Sequence, residues 1–215
     1  WHEVSNGDTD SVKLKDVSEL TKAAIASDEF SVIADRGYYS GNEIKACDDA
    51  GITVYLPKCQ TSGNQSKGLF GKRDFIYKPE TDEYECPAGQ RAIYRFTGTE
   101  KGKTIKRYWS SSCPGCSMKA RCTTGVNRRI SRWEHEEVLD TIETRINREP
   151  ERMAVRRNTV EHPFGTLKCW MGYTHFQTRT LEHVCTEMSL NLLASNLRRM
   201  INMMGLPALL KSLQA

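Results

Sequence analysis

The chain has 215 residues, 38% of them hydrophobic and 27% charged, and a net charge of +4; that is material for one large or two small domains with a core. No apolar run approaches the ~20 residues of a membrane span and nothing reads as a secretory leader, so a membrane partner is excluded, a cytoplasmic setting is expected, and the eight cysteines read as metal ligands or core thiols before disulfides. Residues 1–85 hold 10 Lys/Arg against 16 Asp/Glu and residues 86–215 hold 21 against 11, so the second part suits a polyanion such as DNA, or else is simply a solvated basic surface.

Residues 1–10 read as the end of a strand running into a polar turn, with Asp8 and Asp10 as N-cap candidates for a helix over residues 11–26. Phe30–Ala34 is a short buried strand, Gly41–Ala50 a helix and Ile52–Leu56 a second strand. Strand, helix and strand with short connections form a βαβ unit with a parallel pair. Asp35 falls at the C-terminal end of the first strand, where open α/β sheets place their ligands. A carboxylate there binds a metal, caps a turn or pairs with Arg36; position alone does not choose. Lys58, after the second strand, faces solvent or a phosphate.

The character changes from Cys59 to Arg132. A Gly/Ser/Asn/Gln-rich loop is followed by alternating aromatics at Phe75, Tyr77 and Tyr84 around a Pro-Glu-Thr-Asp turn, a hairpin pattern. Arg91–Phe96 and Lys103–Trp109 form a second candidate strand pair. Cys86, Cys113, Cys116 and Cys122 have the spacing C-x26-C-x2-C-x5-C. The Cys113-Pro-Gly-Cys116 knuckle presents two thiolates to one tetrahedral zinc, and four thiolates leave no open position, so such a Zn2+ is structural. Free thiols and a redox pair are the rival readings.

Residues 131–152 read as a helix rich in i,i+4 charge pairs, interrupted at Pro150, and Leu181–Met204 as a long helix burying Leu181, Val184, Cys185, Met188, Leu192, Ala194 and Leu197. Residues after Gly205 read as a tail. Between these helices lies the stretch that organises the chain, Arg157–Lys168. On a helix Arg157, Glu161 and Lys168 fall within roughly 40° of one another. A carboxylate flanked by two cations holds a metal and a phosphate together, or is an ordinary solvated ion-pair face. Pro163 and its effect on His162 predict a kink or restart here. Trp133 and Trp170 read as core, with base stacking as the other reading.

Arg157-x3-Glu161-x6-Lys168 resembles the Y-x2-R-x3-E-x6-K signature of DDE insertion-sequence transposases, with Ala154 at the tyrosine position. The words TVEHPFG and NLLASNLRR resemble the zinc-insert branch of that group, and ADRGYYSG its motif with the second catalytic Asp. The resemblance implies an α/β, RNase H-like mixed sheet with flanking helices, interrupted by a small β-rich zinc insert. It implies domain bounds of 1–58 and 133–205 for the catalytic part, 59–132 for the insert and 206–215 for a tail. Asp35 and Glu161 would be catalytic ligands for Mg2+ or Mn2+, Arg157 and Lys168 would bind DNA, and Cys86, Cys113, Cys116 and Cys122 would bind Zn2+. DNA ends and target would be the partners, with a homodimer possible. The first catalytic Asp and an N-terminal DNA-binding region are not found between Trp1 and Ala215, so the chain is expected to be a C-terminal part, inactive alone. The other function classes that fit are a zinc-stabilised DNA-binding module without catalysis and a metal-dependent nuclease of the same fold.

Overall fold

The computed structural model describes residues 4, 6–7, 9–27, 29–59, 62–156, 158–159 and 162–213. The chain divides into two compact units, one made of Trp1–Pro57 with Thr144–Ala215 and the other of Lys58–Glu143.

In the first unit β1 (Ser31–Ile33) and β2 (Thr53–Tyr55) pair in parallel, Val32 opposite Val54, and are joined through α2 (Gly41–Asp49). This is the expected βαβ unit. α2 buries Ile44 and Cys47, one turn apart on one face. Burial pushes the Cys47 thiol up to about 11, so it is an inert core group. α1 (Leu14–Ile25) packs on α2 and buries Leu14 and Ser18 at i,i+4. The Lys15 amide donates to Glu43 Oε2 at 3.0 Å, tying the first turn of α1 to α2. Ile52, Val54, Tyr55 and Leu56 are all buried, as expected of a strand covered on both faces.

α3 (Glu136–Arg148) begins in the second unit and ends in the first. Its Arg145 Nη1 donates to the Val54 carbonyl at 3.0 Å, and the Tyr55 hydroxyl donates to Glu149 Oε2 at 3.0 Å. Pro150 separates α3 from α4 (Glu151–Arg156), which packs against β1. α5 (His162–Gly165) runs into a π-helical turn, Thr166–Trp170. α6 (Leu181–Met204) has the bounds read from the sequence. Its burial is shallower than that reading: Asn191 is its buried residue, while Leu181 and Leu197 are each 40% exposed. The π turn and α7 cover only part of its apolar stripe. α7 (Leu206–Leu213) stands where the sequence read as a tail; Leu206, Leu209 and Leu210 carry helical spacing. Gly205, at φ 78°, makes the break that separates it from α6.

The second unit is an antiparallel meander of β3 (Ile76–Lys78), β4 (Glu83–Glu85), β5 (Arg91–Glu100), β6 (Lys103–Trp109) and β7 (Ile130–Trp133). Both hairpins expected from the sequence form. β7 does not follow the reading of residues 131–152 as a helix. Ile130, Arg132 and Trp133 are buried and residues 130–133 pair with β6. The helix starts only at Glu136, whose carboxylate accepts the Trp133 amide at 3.1 Å. The dense charge pairs of 134–148 had extended the helical pattern backwards over a strand.

Phe75, Tyr84, Ala92, Tyr108 and Ile130 form the core of this unit. Tyr84 and Tyr108 meet edge to face at 5.3 Å, a favoured aromatic arrangement. Asp82, in the β3–β4 turn at φ 49°, accepts from the Tyr77 and Tyr108 hydroxyls at 2.7 Å each and from Lys106 Nζ at 3.1 Å. Burial raises its carboxyl, and these donors more than reverse that, holding it below the usual range.

Candidate active site and cysteine cluster

Asp35 stands just beyond the C-terminal end of β1, and its surroundings follow from the turn after the strand. Its Oδ1 accepts the Arg36 amide at 2.7 Å and so caps the 3-10 turn Arg36–Tyr38. Its other oxygen, Oδ2, lies 3.3 Å from Arg156 Nη2 at the end of α4. The carboxylate is therefore a capping group and an ion-pair partner at once. The cation that reaches it is Arg156, a residue the sequence stripe passed over in favour of its neighbour Arg157. The signal that identifies it is tertiary, since α4 lies against β1.

The Thr9 side chain, and not Asp10, caps the turn Asp10–Val12, its Oγ1 accepting the Ser11 amide at 3.2 Å. That turn packs on Arg36–Tyr38: a Cβ on Gly37 would lie 3.8 Å from Asp10 Oδ2. Asp10 thus approaches the Asp35 turn instead of capping a helix. Asp8, Arg157 and Glu161 lie outside the described residues.

Lys168 is exposed within Thr166–Trp170, where the Met171 amide donates to the Thr166 carbonyl at 3.0 Å, an i→i+5 bond. A π turn is wider than α-helical spacing; the stripe read for Lys168 with Arg157 and Glu161 rests on two residues outside the described ones. The backbone is helical across Pro163, from His162 to Gly165, and continues into the π turn. Trp170 is 78% exposed and is no core residue, whereas Trp133 is buried with Lys103 Nζ 4.7 Å from its ring centre. Lys58 is partly exposed and ion-paired; its ammonium lies 3.6 Å from Glu136 and 3.5 Å from Glu143.

In the second unit the four spaced cysteines converge. Cys86 opens a tight turn closed by the Gly89 amide donating to the Cys86 carbonyl at 2.8 Å, with Gly89 at φ 69°. Cys113 and Cys116 flank the turn Cys113–Gly115, and Cys122 follows the turn Lys119–Arg121. All four line one cavity of about 30 Å3 beneath Phe70, Phe75 and Ala92, room for a single ion or water. Burial raises the Cys122 thiol; Arg128 pulls it down, and Cys113, Cys86 and Cys116 push it up. Among the described residues no group of three or more His, Cys, Asp or Glu side chains is gathered closely enough to hold a metal ion. The donor types suit zinc, since cysteine thiolates are ligands of structural zinc sites.

The family model described as Transposase DDE domain matches residues 85–201, just over half of the chain. The chain belongs to the DDE transposase family. No curated protein and no solved structure matches it. The matched segment takes in the four cysteines, Glu161 and Lys168; Asp35 lies before it. Membership implies a DNA partner, and transposase DDE domains generally use divalent cations. The α/β class expected from the sequence holds, with a parallel pair in one unit and an antiparallel sheet in the other. No helix among the described residues is long and apolar enough to cross a membrane.

Proposed function

We propose that the first unit carries part of the DNA strand-cleavage and strand-transfer centre of a transposase, on an RNase H-like scaffold, with Asp35 and Glu161 as its metal-binding carboxylates. The observation that carries this reading is the 3.3 Å approach of Arg156 to Asp35. It brings the chain to within five residues of Glu161 at the end of β1, the edge where α/β sheets hold ligands. The separations of Asp35, Arg156 and Glu161 along the chain are otherwise far too large for local contact.

Mg2+ or Mn2+ at this centre supplies charge for an attacking hydroxyl and a leaving oxygen. Asp35 and Glu161 offer hard oxygen donors to it. Arg157 and Lys168 attract DNA phosphate, and Arg156 orients the Asp35 carboxylate until a cation competes for it. In the second unit Cys86, Cys113, Cys116 and Cys122 hold a structural Zn2+.

Mn2+ titration of the chain, followed calorimetrically, tests the centre. Asp35→Asn and Glu161→Gln are each expected to weaken binding at least tenfold. Arg156→Gln is expected to strengthen it several-fold by removing a competing cation, an effect on the order of 1 kcal/mol near a surface. Affinity unmoved by either carboxylate variant would leave a DNA-binding module without a catalytic centre.

A further inference from the structure

Residues 86–133 contain eleven Lys and Arg against one acidic residue, Glu100. They cover β5, β6, the cysteine turns and β7. Many of these cations are unpaired: among the described residues Arg95, Lys101, Lys119 and Arg129 join no ion pair, whereas Arg91 meets Glu83 and Arg107 meets Glu100.

The sheet places part of this charge on one face. Strand alternation sends Ala92, Tyr108 and Ile130 to the core, so Ile93, Trp109 and Arg129 point to the opposite face. Ile93 and Phe96 are exposed there. A bulge falls between Tyr94 and Phe96, leaving Arg95 without a partner on β6. Bulges re-aim a side chain, and this one turns Arg95 onto Trp109. The Arg95 guanidinium lies 5.3 Å from the Trp109 ring centre and that of Arg129 lies 5.6 Å from it. Arg95 is fixed further by Nε donating to the Trp109 carbonyl at 3.2 Å and Nη2 to Ser111 Oγ at 2.6 Å. Phe96 meets Trp109 edge to face at 6.0 Å.

We infer that the Arg95–Trp109–Arg129 face of the second unit is a docking surface for the phosphate backbone of duplex DNA. The inference rests on the DNA-directed reading above but not on its metal chemistry. Two guanidiniums on one indole with no carboxylate beside them form a site for a polyanion. A cavity of about 400 Å3 in the same unit also has cationic walls, but there Lys72 meets Glu136, Arg73 meets Glu143 and Arg132 meets Asp140. Ten-residue β5 spans about 33 Å, close to one turn of duplex. Beyond Gly98 and Ile105 the β5–β6 hairpin is a two-stranded ribbon tipped by Lys101 and Gly102, and a two-stranded ribbon has the width of a major groove.

The test is fluorescence anisotropy of a labelled 30-base-pair duplex with the whole chain, in Mg2+-free buffer without chelator, over a salt series. Arg95→Gln/Arg129→Gln is expected to lower affinity at least tenfold and to reduce the salt slope by about 2, one per phosphate contact removed. Lys78→Gln/Arg91→Gln, which removes equal charge from cations paired to Glu85 and Glu83, is expected to leave the slope unchanged. Should the double variant fold poorly, Arg129→Glu alone is expected to lower affinity more than tenfold. Equal slopes for parent and the Arg95/Arg129 variants overturn the inference, as does a preference for single-stranded DNA. Binding is read without Mg2+, so an absence of metal-dependent cleavage bears on the proposed centre and not on this surface.

Discussion

At the scale of single residues the chain is governed by where carboxylates find cations. Asp35 and Arg156 are paired near solvent, which contributes at most about 1 kcal/mol and leaves the carboxylate available for exchange with a metal. Glu136 is the opposite case. It is buried, accepts Lys72 Nζ at 2.6 Å and the Trp133 amide at 3.1 Å. Burial raises its carboxyl, and the charge and hydrogen bond of Lys72, the Trp133 amide and Lys58 outweigh that, holding it below its ordinary value of 4.5. A depressed native value means the stabilisation is present above about pH 4.5 and is lost as the pH falls through the lower native value. Unfolding of the second unit followed against pH is expected to show this loss in the parent. Glu136→Gln is expected to reduce the pH dependence, leaving the part that Asp82 carries, and to cost about 2 kcal/mol at neutral pH, because a charge-assisted bond to Lys72 becomes a neutral one. A parent curve as flat as that of the variant contradicts the role given to Glu136.

At the scale of elements the strongest local patterns were read correctly and the cooperative ones were not. Alternating aromatics around a Pro-Glu-Thr-Asp turn declared the first hairpin, Arg91–Phe96 and Lys103–Trp109 read as a second strand pair, and the apolar period declared α1 and α6. β7 was hidden because its four residues adjoin a run of charge pairs with helical spacing, and only pairing with β6 distinguishes strand from helix there. The π turn at Thr166–Trp170 had no sequence mark, since a wider turn keeps the same residues and changes only which amide meets which carbonyl. The four cysteines were legible from spacing, yet their shared cavity depends on Phe70, Phe75 and Ala92, which no cysteine pattern names. The second unit, 86 residues across Lys58–Glu143, has a core of only a few aromatic and aliphatic side chains, and a metal stabilises such a module by an amount comparable with its folding energy. Native mass spectrometry is expected to find one zinc. Its removal by chelator is expected to abolish amide-exchange protection in β3–β7 and leave β1, α2 and β2 protected. Unchanged protection in β3–β7 after chelation contradicts a structural zinc.

At the scale of the whole molecule the sequence disclosed more of the family than of the geometry. The short motifs around Asp35, Glu161 and the long helix resemble those of DDE transposases in order, and the family match over residues 85–201 agrees. What remained hidden was long-range placement: that α4 would bring Arg156 to Asp35, and that a one-residue bulge would set Arg95 against Trp109. Both arise from packing between segments distant in sequence, which periodicity does not encode. The central claim is that Asp35 and Glu161, well over a hundred residues apart in the chain, share a divalent cation. Replacing that cation with Fe2+ and adding ascorbate and peroxide cuts the backbone beside the bound metal. Two sets of fragments are expected, with new ends near residue 35 and near residue 161, both lost in Asp35→Asn. Cuts at one position without the other, or cuts that persist in Asp35→Asn, would contradict the shared centre.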